Sequence, residues 1–529
     1  MACSSASTAD SGEEEKKEQR LIDVMFLCDE WKSSKGRLST FNQEFAINLA
    51  EATAGSMKIH CYVSNSDDRD REDAEQHGVN LIKARSVPGS ADPLECLKFP
   101  PSELPNPHLV IGHGRKLGSP AYFLVQSTKC KWIQFVHVYC EDLGKYKEST
   151  TAAEDTIEEN EKKHKMEIDL CKAADAVVAV GSRLQQKYGR RLLNVEVKVI
   201  TPGIFGKFCN ESKLAVNRSV VKNFNVSVFG RAAFEDLSLK GYDIIANAIG
   251  SLGKNFELTF VGASPGEQRK VEQWFLDNTC IKRNQLTIRQ YCSEQEELKV
   301  MFYQSDLVAL PSRTEGFGLV ALEAISAGVP VLVSGESGIA EALQKVKGGY
   351  TVIVGSDEDE GEWARRIREM YEESAEEREA NAVKLRENYR KVYSWKAECE
   401  RFKGLIEKVV ENGTSPLTVI PTTGHGLELI GRAQGRKGML PLPGSSTFDP
   451  EEELEEPPMK LQSMEGTSPS TLLSTSGCKR KQEVRHSTVK LQEKKGTSPS
   501  TLLSTSGHKR KLEVRQSTVK LQKKKDQWQ

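Results

Sequence analysis

Two carboxylates, Glu315 and Glu323, bracket the run Gly316-Phe317-Gly318-Leu319. Glycines let a backbone approach a ligand closely, and the N–H groups left free at a helix start favour phosphate. An ionised carboxylate only accepts hydrogen bonds, so beside an anion site these two side chains need partners other than phosphate. Hydroxyl groups are the natural ones. A ligand that carries both phosphate and several hydroxyls is a sugar nucleotide. Taken singly, either Glu also fits a plainer role, an acidic residue near a helix N-terminus that complements the macrodipole. Two basic residues have matching chemistry: Arg231 follows Gly230, and Lys240 precedes Gly241. Arginine offers a fork and lysine a point charge to a diphosphate, although each alone reads as a surface cation.

The elements that must position these groups are legible around them. Asp306 to Leu310 is a short apolar run closed by Pro311-Ser312, a strand with a turn signal. Leu319 to Ile325 has helical spacing and strong helix formers, Gly328 and Pro330 end that helix, and Val331 to Val333 resume a buried strand. This is a βαβ unit of a parallel sheet, and ligands of such sheets bind beyond the carboxyl ends of the strands. Glu315-Gly316-Phe317-Gly318 falls at that edge.

The unbroken stretch PSRTEGFGLVALEAISAGVPV, Pro311 to Val331, resembles the signature of retaining family-4 glycosyltransferases of the two-Rossmann (GT-B) type. The resemblance covers roughly residues 21 to 411 and is denser in the second half. It implies an α/β fold of two Rossmann-like domains facing a cleft. It implies that Glu315 contacts hydroxyls of the transferred sugar and that Glu323 accepts from ribose hydroxyls. Phe317, Gly318 and Leu319 would offer backbone groups to sugar and phosphate. Gly230-Arg231 and Lys240-Gly241 match the family's basic elements, and Gly338 and Glu341 also match. Tyr291 and Cys292 fall where the family contacts the base. The family needs no divalent metal or other cofactor, the nucleotide-sugar being a substrate.

In chain order, Leu21 to Cys28 reads as a first, almost wholly apolar strand, as parallel strands do. The loop through Gly36 to an amphipathic helix from about Phe41 to Ala54 is the usual place for phosphate. There the family has a Gly-Gly pair, whereas this chain reads Gly36-Arg37, a departure that could grip an anion or obstruct the backbone. Lys58 to Val63 is a strand, and Asp67-Asp68-Arg69-Asp70 reads as a solvated turn rather than a metal site. His113 and His137 both fall where a strand meets its loop. Such a histidine is as a rule structural; the resemblance singles out His137 as the residue near the anomeric carbon and Gly114 as a backbone contact. From Thr151 to Cys171 the pattern is a long charged helix ending in Ala173-Ala174-Asp175, and Ser182 is a candidate cap for the helix to Tyr188. Val195 to Ile200 and Thr201-Pro202-Gly203 resemble the last strand and hinge of the first domain. Ser394-Trp395-Lys396 opens a helix that resembles the family's terminal crossover.

The expected organisation is a disordered lead (1–20), an acceptor domain (21–203), a donor domain (204–393), a crossover helix (394–411) and a disordered tail (412–529). The tail carries a tandem repeat, GTSPSTLLSTSG followed by a basic run, at 466–495 and 496–525. It is too polar and too short to build a repeat core. Its Lys479-Arg480-Lys481 and Lys509-Arg510-Lys511 clusters suit nuclear import or a polyanionic partner, or simply solubility.

Length and composition bound the rest. At 529 residues there is chain enough for two or three domains, and a formal charge of -1 excludes a bulk basic field for nucleic acid or membrane. No apolar run reaches spanning length and no secretory h-region is present, so a soluble cytoplasmic protein is expected. The 12 cysteines include no CxxC pair and read as free thiols, which makes the Asn217 and Asn225 sequons chance matches. The expected activity is transfer of a sugar from a nucleotide-sugar to an acceptor hydroxyl with retention. A non-catalytic sugar-nucleotide or glycan-binding adaptor, working through its basic tail, is the alternative, and Arg37 is its main support.

Overall fold

The computed structural model describes residues 21–32, 36–145, 153–209, 223–292, 294–355 and 359–411. The lead, both tail repeats and their basic clusters lie outside the described residues. The first half alternates β1 (Ile22–Glu30), α1 (Arg37–Ala52), β2 (Met57–Asn65), α2 (Asp68–Gln76), β3 (Val79–Lys83), β4 (Leu109–His113) and α3 (Gly114–Thr128). It continues with β5 (Lys131–Val136), α4 (Cys140–Gly144), α5 (Ala153–Ala173), β6 (Ala176–Val180), α6 (Ser182–Arg191) and β7 (Val197–Ile200). These seven strands form one parallel sheet in the order β3-β2-β1-β4-β5-β6-β7.

The second half contributes β8 (Phe224–Phe229), α7 (Tyr242–Leu252), β9 (Phe256–Ala263), α8 (Gln268–Asn278), β10 (Leu286–Gln290) and α9 (Gln295–Tyr303). Next come β11 (Leu307–Leu310), α10 (Leu319–Ala327), β12 (Val331–Ser334), α11 (Gly338–Leu343), β13 (Ile353–Val354) and α12 (Glu360–Glu372). The six strands are again parallel, in the order β10-β9-β8-β11-β12-β13. Two closing helices, α13 (Ala375–Val392) and α14 (Trp395–Glu411), complete the chain's described part. Both sheets belong to one compact unit. The architecture is two Rossmann-like α/β layers, as the sequence leads one to expect.

Helices on both faces explain why the strands read as continuous apolar runs rather than alternating ones. β4 and β8 are buried along their whole length. The polar exceptions in β8 are satisfied inside the sheet: Asn225 Oδ1 accepts from Thr259 Oγ1 at 2.7 Å, and Ser305 Oγ donates to Ser227 Oγ at 2.7 Å. The Asn225 sequon is therefore a buried strand residue.

Each sheet has one place where chain order reverses, between β1 and β4 in the first and between β8 and β11 in the second. Crevices open beyond the carboxyl ends of the strands at such points. The residues there are Gly36, His113 and Gly114 on one sheet, and Gly230, Arg231 and the 311–318 loop on the other.

The crossover helix α14 holds the halves together with aromatic rings. Trp395 stacks on Phe45 of α1 (centroids 5.8 Å apart, planes at 22°), and Phe402 lies 5.0 Å from Phe45 and 5.6 Å from Phe135. Full burial of an aromatic side chain of this kind contributes about 1.5–3 kcal/mol. The Tyr389 hydroxyl donates to the Pro202 carbonyl at 2.9 Å, and the Phe205 N–H to Ser326 Oγ at 3.0 Å, so the segment after β7 is pinned to the second half.

Three local expectations are corrected. Asp67 is not part of a solvated turn but caps α2: its carboxylate accepts from the Asp70 N–H at 2.9 Å while Asp70 accepts from the Asp67 N–H at 3.0 Å. That reciprocal box outweighs the turn propensity of the run. Helix α1 begins at Arg37 rather than near Phe41, because Gly36 takes the cap position at φ +132°. Ser182 is the first residue of α6 rather than its cap; Gly181 holds that place, and the Ser182 hydroxyl is used elsewhere.

Candidate active site

The loop after β11 is set by its glycines and by the neighbouring strand. Gly318 caps α10 at φ +102° and Gly328 ends it at φ +69°, both in the left-handed region. The Glu315 N–H donates to the Glu336 carbonyl at 3.0 Å. The Ala321 and Leu322 N–H groups donate to the Gly318 carbonyl at 3.1 and 3.3 Å, which leaves only the first N–H groups of α10, at Leu319 and Val320, for acceptors outside the helix. Leu319 is half-buried, Phe317 is buried, and Glu323, in the second turn of α10, is fully buried.

Lys240 and Glu315 meet: Nζ lies 2.7 Å from Oε2, and Ser312 Oγ is 3.4 Å from the same oxygen. Burial alone would lower the Lys240 pKa, but the Glu315 carboxylate overrides it and the net shift is upward, so the ammonium stays charged. The loop carrying Lys240 is clamped to the signature. A Cβ on Gly241 would sit 2.0 Å from the Pro311 carbonyl oxygen, so only glycine permits this approach. Arg313 completes the clamp with a fork onto Asp243, 2.8 Å to each oxygen, while its N–H donates to the Ser238 carbonyl. Arg313 lies within the quoted signature, yet its part is invisible there because its partners come from a distant loop.

Arg231 stands exposed at the end of β8, next to Gly230, with its guanidinium carbon 5.7 Å from the Tyr291 ring centroid. From the other sheet, Gly36 approaches it: a Cβ there would be 3.3 Å from Arg231 Nη2. The glycine loop of the first sheet and the basic strand end of the second thus face one gap.

On the first sheet, His113 Nδ1 and His137 Nε2 are 3.0 Å apart. Phe41, Phe135 and Phe26 surround the pair, with Phe41 5.3 Å from His137 and Phe135 5.0 Å from His113. Burial pushes the His137 pKa down to about 3; burial and then the neighbouring ring push His113 well below its usual range. Gly114 opens α3 at φ +54°, and its carbonyl accepts from Gln134 Nε2 at 2.7 Å. Behind it is the buried carboxyl of Glu167, which burial raises to about 7.

The two halves touch at the site itself. A Cβ on Gly316 would sit 2.1 Å from the His137 carbonyl oxygen, so the signature loop rests directly on the His137 backbone. The Ser182 hydroxyl donates to Glu341 Oε2 at 2.7 Å, and Arg183 pairs with Glu336 and lies 4.0 Å from Glu341. A cavity of about 200 Å³ lies between them, with Tyr139, Asp142 and Lys187 on one wall and Lys240, Glu315 and Gly316 on the other. Lys187 is bonded to Asp142. None of these first-sheet residues was singled out from sequence for this cavity. Arg183 and Lys187 carry a signal that could have found them, two cations one turn apart on one helix face.

Comparison with known proteins decides the family. The profile described as "Family 4 Glycosyltransferase in conflict systems" matches residues 25–402. This chain belongs to that glycosyltransferase family. A D-inositol 3-phosphate glycosyltransferase of Paenarthrobacter aurescens is 27% identical over 204 residues, 37% of this chain and 47% of the relative. One from Rhodococcus erythropolis is 31% identical over 146 residues, 26% of this chain and 31% of the relative. The glycosyltransferase chain therefore spans half or less of the length of these curated relatives. Among solved structures, sucrose-phosphate synthase of Thermosynechococcus elongatus superposes with a TM-score of 0.57 at 18% identity, over 74% of this chain and 100% of that one. HepE of Anabaena, in complex with UDP and glucose, gives 0.53 at 17% identity, over 73% and 99%. At that identity the likeness speaks for the fold. Among the described residues of this family-4 glycosyltransferase, no helix is long and apolar enough to cross a membrane.

Proposed function

We propose that this glycosyltransferase moves a hexose from a nucleoside diphosphate sugar to an acceptor hydroxyl, with retention and without a metal ion. The observation that carries the reading is the Lys240–Glu315 pair, 2.7 Å apart in the cleft with Arg231 and the α10 N-terminus on the same edge. A donor has two chemically different ends to hold, and this edge offers both kinds of group. Glu315 accepts from sugar hydroxyls and Glu323 from ribose. Arg231, Lys240 and the N–H groups of Phe317, Gly318 and Leu319 take the diphosphate; Tyr291 lies beside the base, and Gly36, Gly114 and Gly230 let the backbone close in. As the sugar–phosphate bond breaks, positive charge grows on the sugar and negative charge on the leaving diphosphate. Fixed cations and a helix N-terminus offset the latter without reorganising. His137 stands at the reacting centre. The residues before 204 take the acceptor, and those after it the donor.

HepE is solved with UDP and with UDP-glucose, which makes UDP-sugars the first donors to try. The test is a thermal-shift panel of UDP-, GDP- and ADP-hexoses on the full chain and on Glu323→Ala, followed by turnover with and without EDTA. A ligand that binds only the folded state raises the midpoint. One nucleotide should shift the parent and not the variant, EDTA should leave turnover unchanged, and the product should keep the donor's anomeric configuration. A shift equal in both proteins, or none with any donor, overturns the reading.

A further inference from the structure

His113 and His137 share one hydrogen bond, and a single bond between two neutral imidazoles fixes where each proton sits. The contact is between His113 Nδ1 and His137 Nε2. Two arrangements are possible. In one, His113 Nδ1–H donates, His113 Nε2 is bare, and His137 carries its proton on Nδ1. In the other, His137 Nε2–H donates, His113 carries its proton on Nε2, and His137 Nδ1 is bare.

The surroundings choose between them. His113 is 1% exposed, and its Nε2 finds no hydrogen-bond partner among the described residues. Its walls are apolar: Phe26 is nearly parallel to the ring at 6.3 Å, and Phe135 and Phe41 close two other sides at 5.0 and 6.4 Å. A buried N–H without an acceptor is rare and costly, whereas an under-satisfied acceptor is tolerated more often. The first arrangement leaves only a ring lone pair in that box; the second leaves an orphan N–H. The His137 backbone is also held, because its carbonyl oxygen abuts Gly316.

We propose that His113 is a positioning residue that locks His137 as its Nδ1–H tautomer, so that His137 meets the substrate as a hydrogen-bond donor and not as a base. The part about substrate rests on the transferase reading; the tautomer does not. A donor at this place suits an oxygen of the transferred sugar or of the leaving group. A base there would need a bare nitrogen, and the only bare one on His137 is already accepting from His113.

The test has two arms. With 15N-histidine in the full chain, two-bond proton–nitrogen spectra report which ring nitrogen carries the proton. His137 should show a protonated Nδ1 and a bare Nε2 in the parent and in His113→Asn, whose amide N–H can replace Nδ1–H. In His113→Leu the ring loses that donor and the pattern should shift toward Nε2–H. A parent with the proton on His137 Nε2, or His113→Leu with an unchanged pattern, overturns the proposal. In the activity arm, His113→Leu should lower kcat about tenfold with KM for the donor little changed, and His113→Asn should restore most of it. Turnover in His113→Leu equal to the parent's overturns the positioning role. Absence of turnover in the parent itself sinks the transferase reading and leaves the tautomer to be decided by the spectra.

Discussion

Lys240 Nζ lies 2.7 Å from Glu315 Oε2, joining the loop before α7 to the loop after β11. The carboxylate raises the Lys240 pKa against the effect of burial, so the ammonium stays charged. In the proposed function the other carboxylate oxygen serves hydroxyls and the remaining ammonium N–H groups serve phosphate.

Lys240→Met keeps the stem and removes the charge. Turnover should fall by about 10²–10³-fold, the cost of losing one fixed electrostatic donor. The melting midpoint should move by only a few degrees, because Gly241 and the Arg313–Asp243 fork still hold the loop. Steady-state kinetics and calorimetry on the same preparation check this, and unaltered turnover would remove Lys240 from the site.

Gly316→Ala tests whether the signature loop must rest on His137. The added methyl would sit 2.1 Å from the His137 carbonyl oxygen, too close for any relaxed contact. The loop and the first sheet should be driven apart, with a loss of turnover of roughly 10²-fold, the order that a misplacement of about 1 Å costs. Small-angle scattering should show a larger radius of gyration. Identical scattering and turnover would mean that the two halves work apart.

Glu167 predicts a pH dependence of stability. Its carboxyl is raised from the ordinary 4.5 to about 7 by burial, so the folded state holds a proton that the unfolded state has released. The stability this gives is complete below about 4.5 and is lost as pH rises through about 7, amounting to about 3 kcal/mol. Urea titrations of the parent from pH 5 to 8 should show that fall, and Glu167→Gln should flatten it. His137 acts in the opposite sense: its pKa is lowered, so protonation of the unfolded chain erodes stability as pH falls below about 6.5. A Glu167→Gln curve parallel to the parent's over this window would refute the assignment.

Arg183 and Glu336 link α6 to the strand-end loop before α11. Their side chains are 14% and 49% exposed, so the link is a partly screened one. A double-mutant cycle with Arg183→Ala and Glu336→Ala should give a coupling of about 0.5–1 kcal/mol that shrinks in high salt. Zero coupling at low salt would show that the contact does not hold the cleft.

Much of this molecule follows from local patterns that need no partner to be read. Apolar runs of strand length, separated by helical periods and closed by Gly and Pro, specify parallel βαβ units. The strand ends named from sequence at His113, at Phe229 just before Gly230 and at Leu310 are the ends the sheets have, while β1 runs two residues past the expected Cys28, to Glu30. The stretch from Pro311 to Val331 is contiguous, so its loop, its cap glycines and the place of Glu315 could be read directly. What tertiary structure alone decided are relationships between residues far apart in the chain. Lys240 with Glu315, Arg313 with Asp243, Gly316 on the His137 carbonyl and Ser182 with Glu341 all join separate segments. Ser182 shows why: its residue type favours a helix cap, and its hydroxyl goes instead to a carboxylate that only the closed fold brings within reach. The same holds for His113, whose ring nitrogen acquires a meaning only when three phenylalanines and a second histidine surround it. Periodicity fixes which residues reach the cleft edge, and packing across the cleft fixes which proton or charge each of them carries.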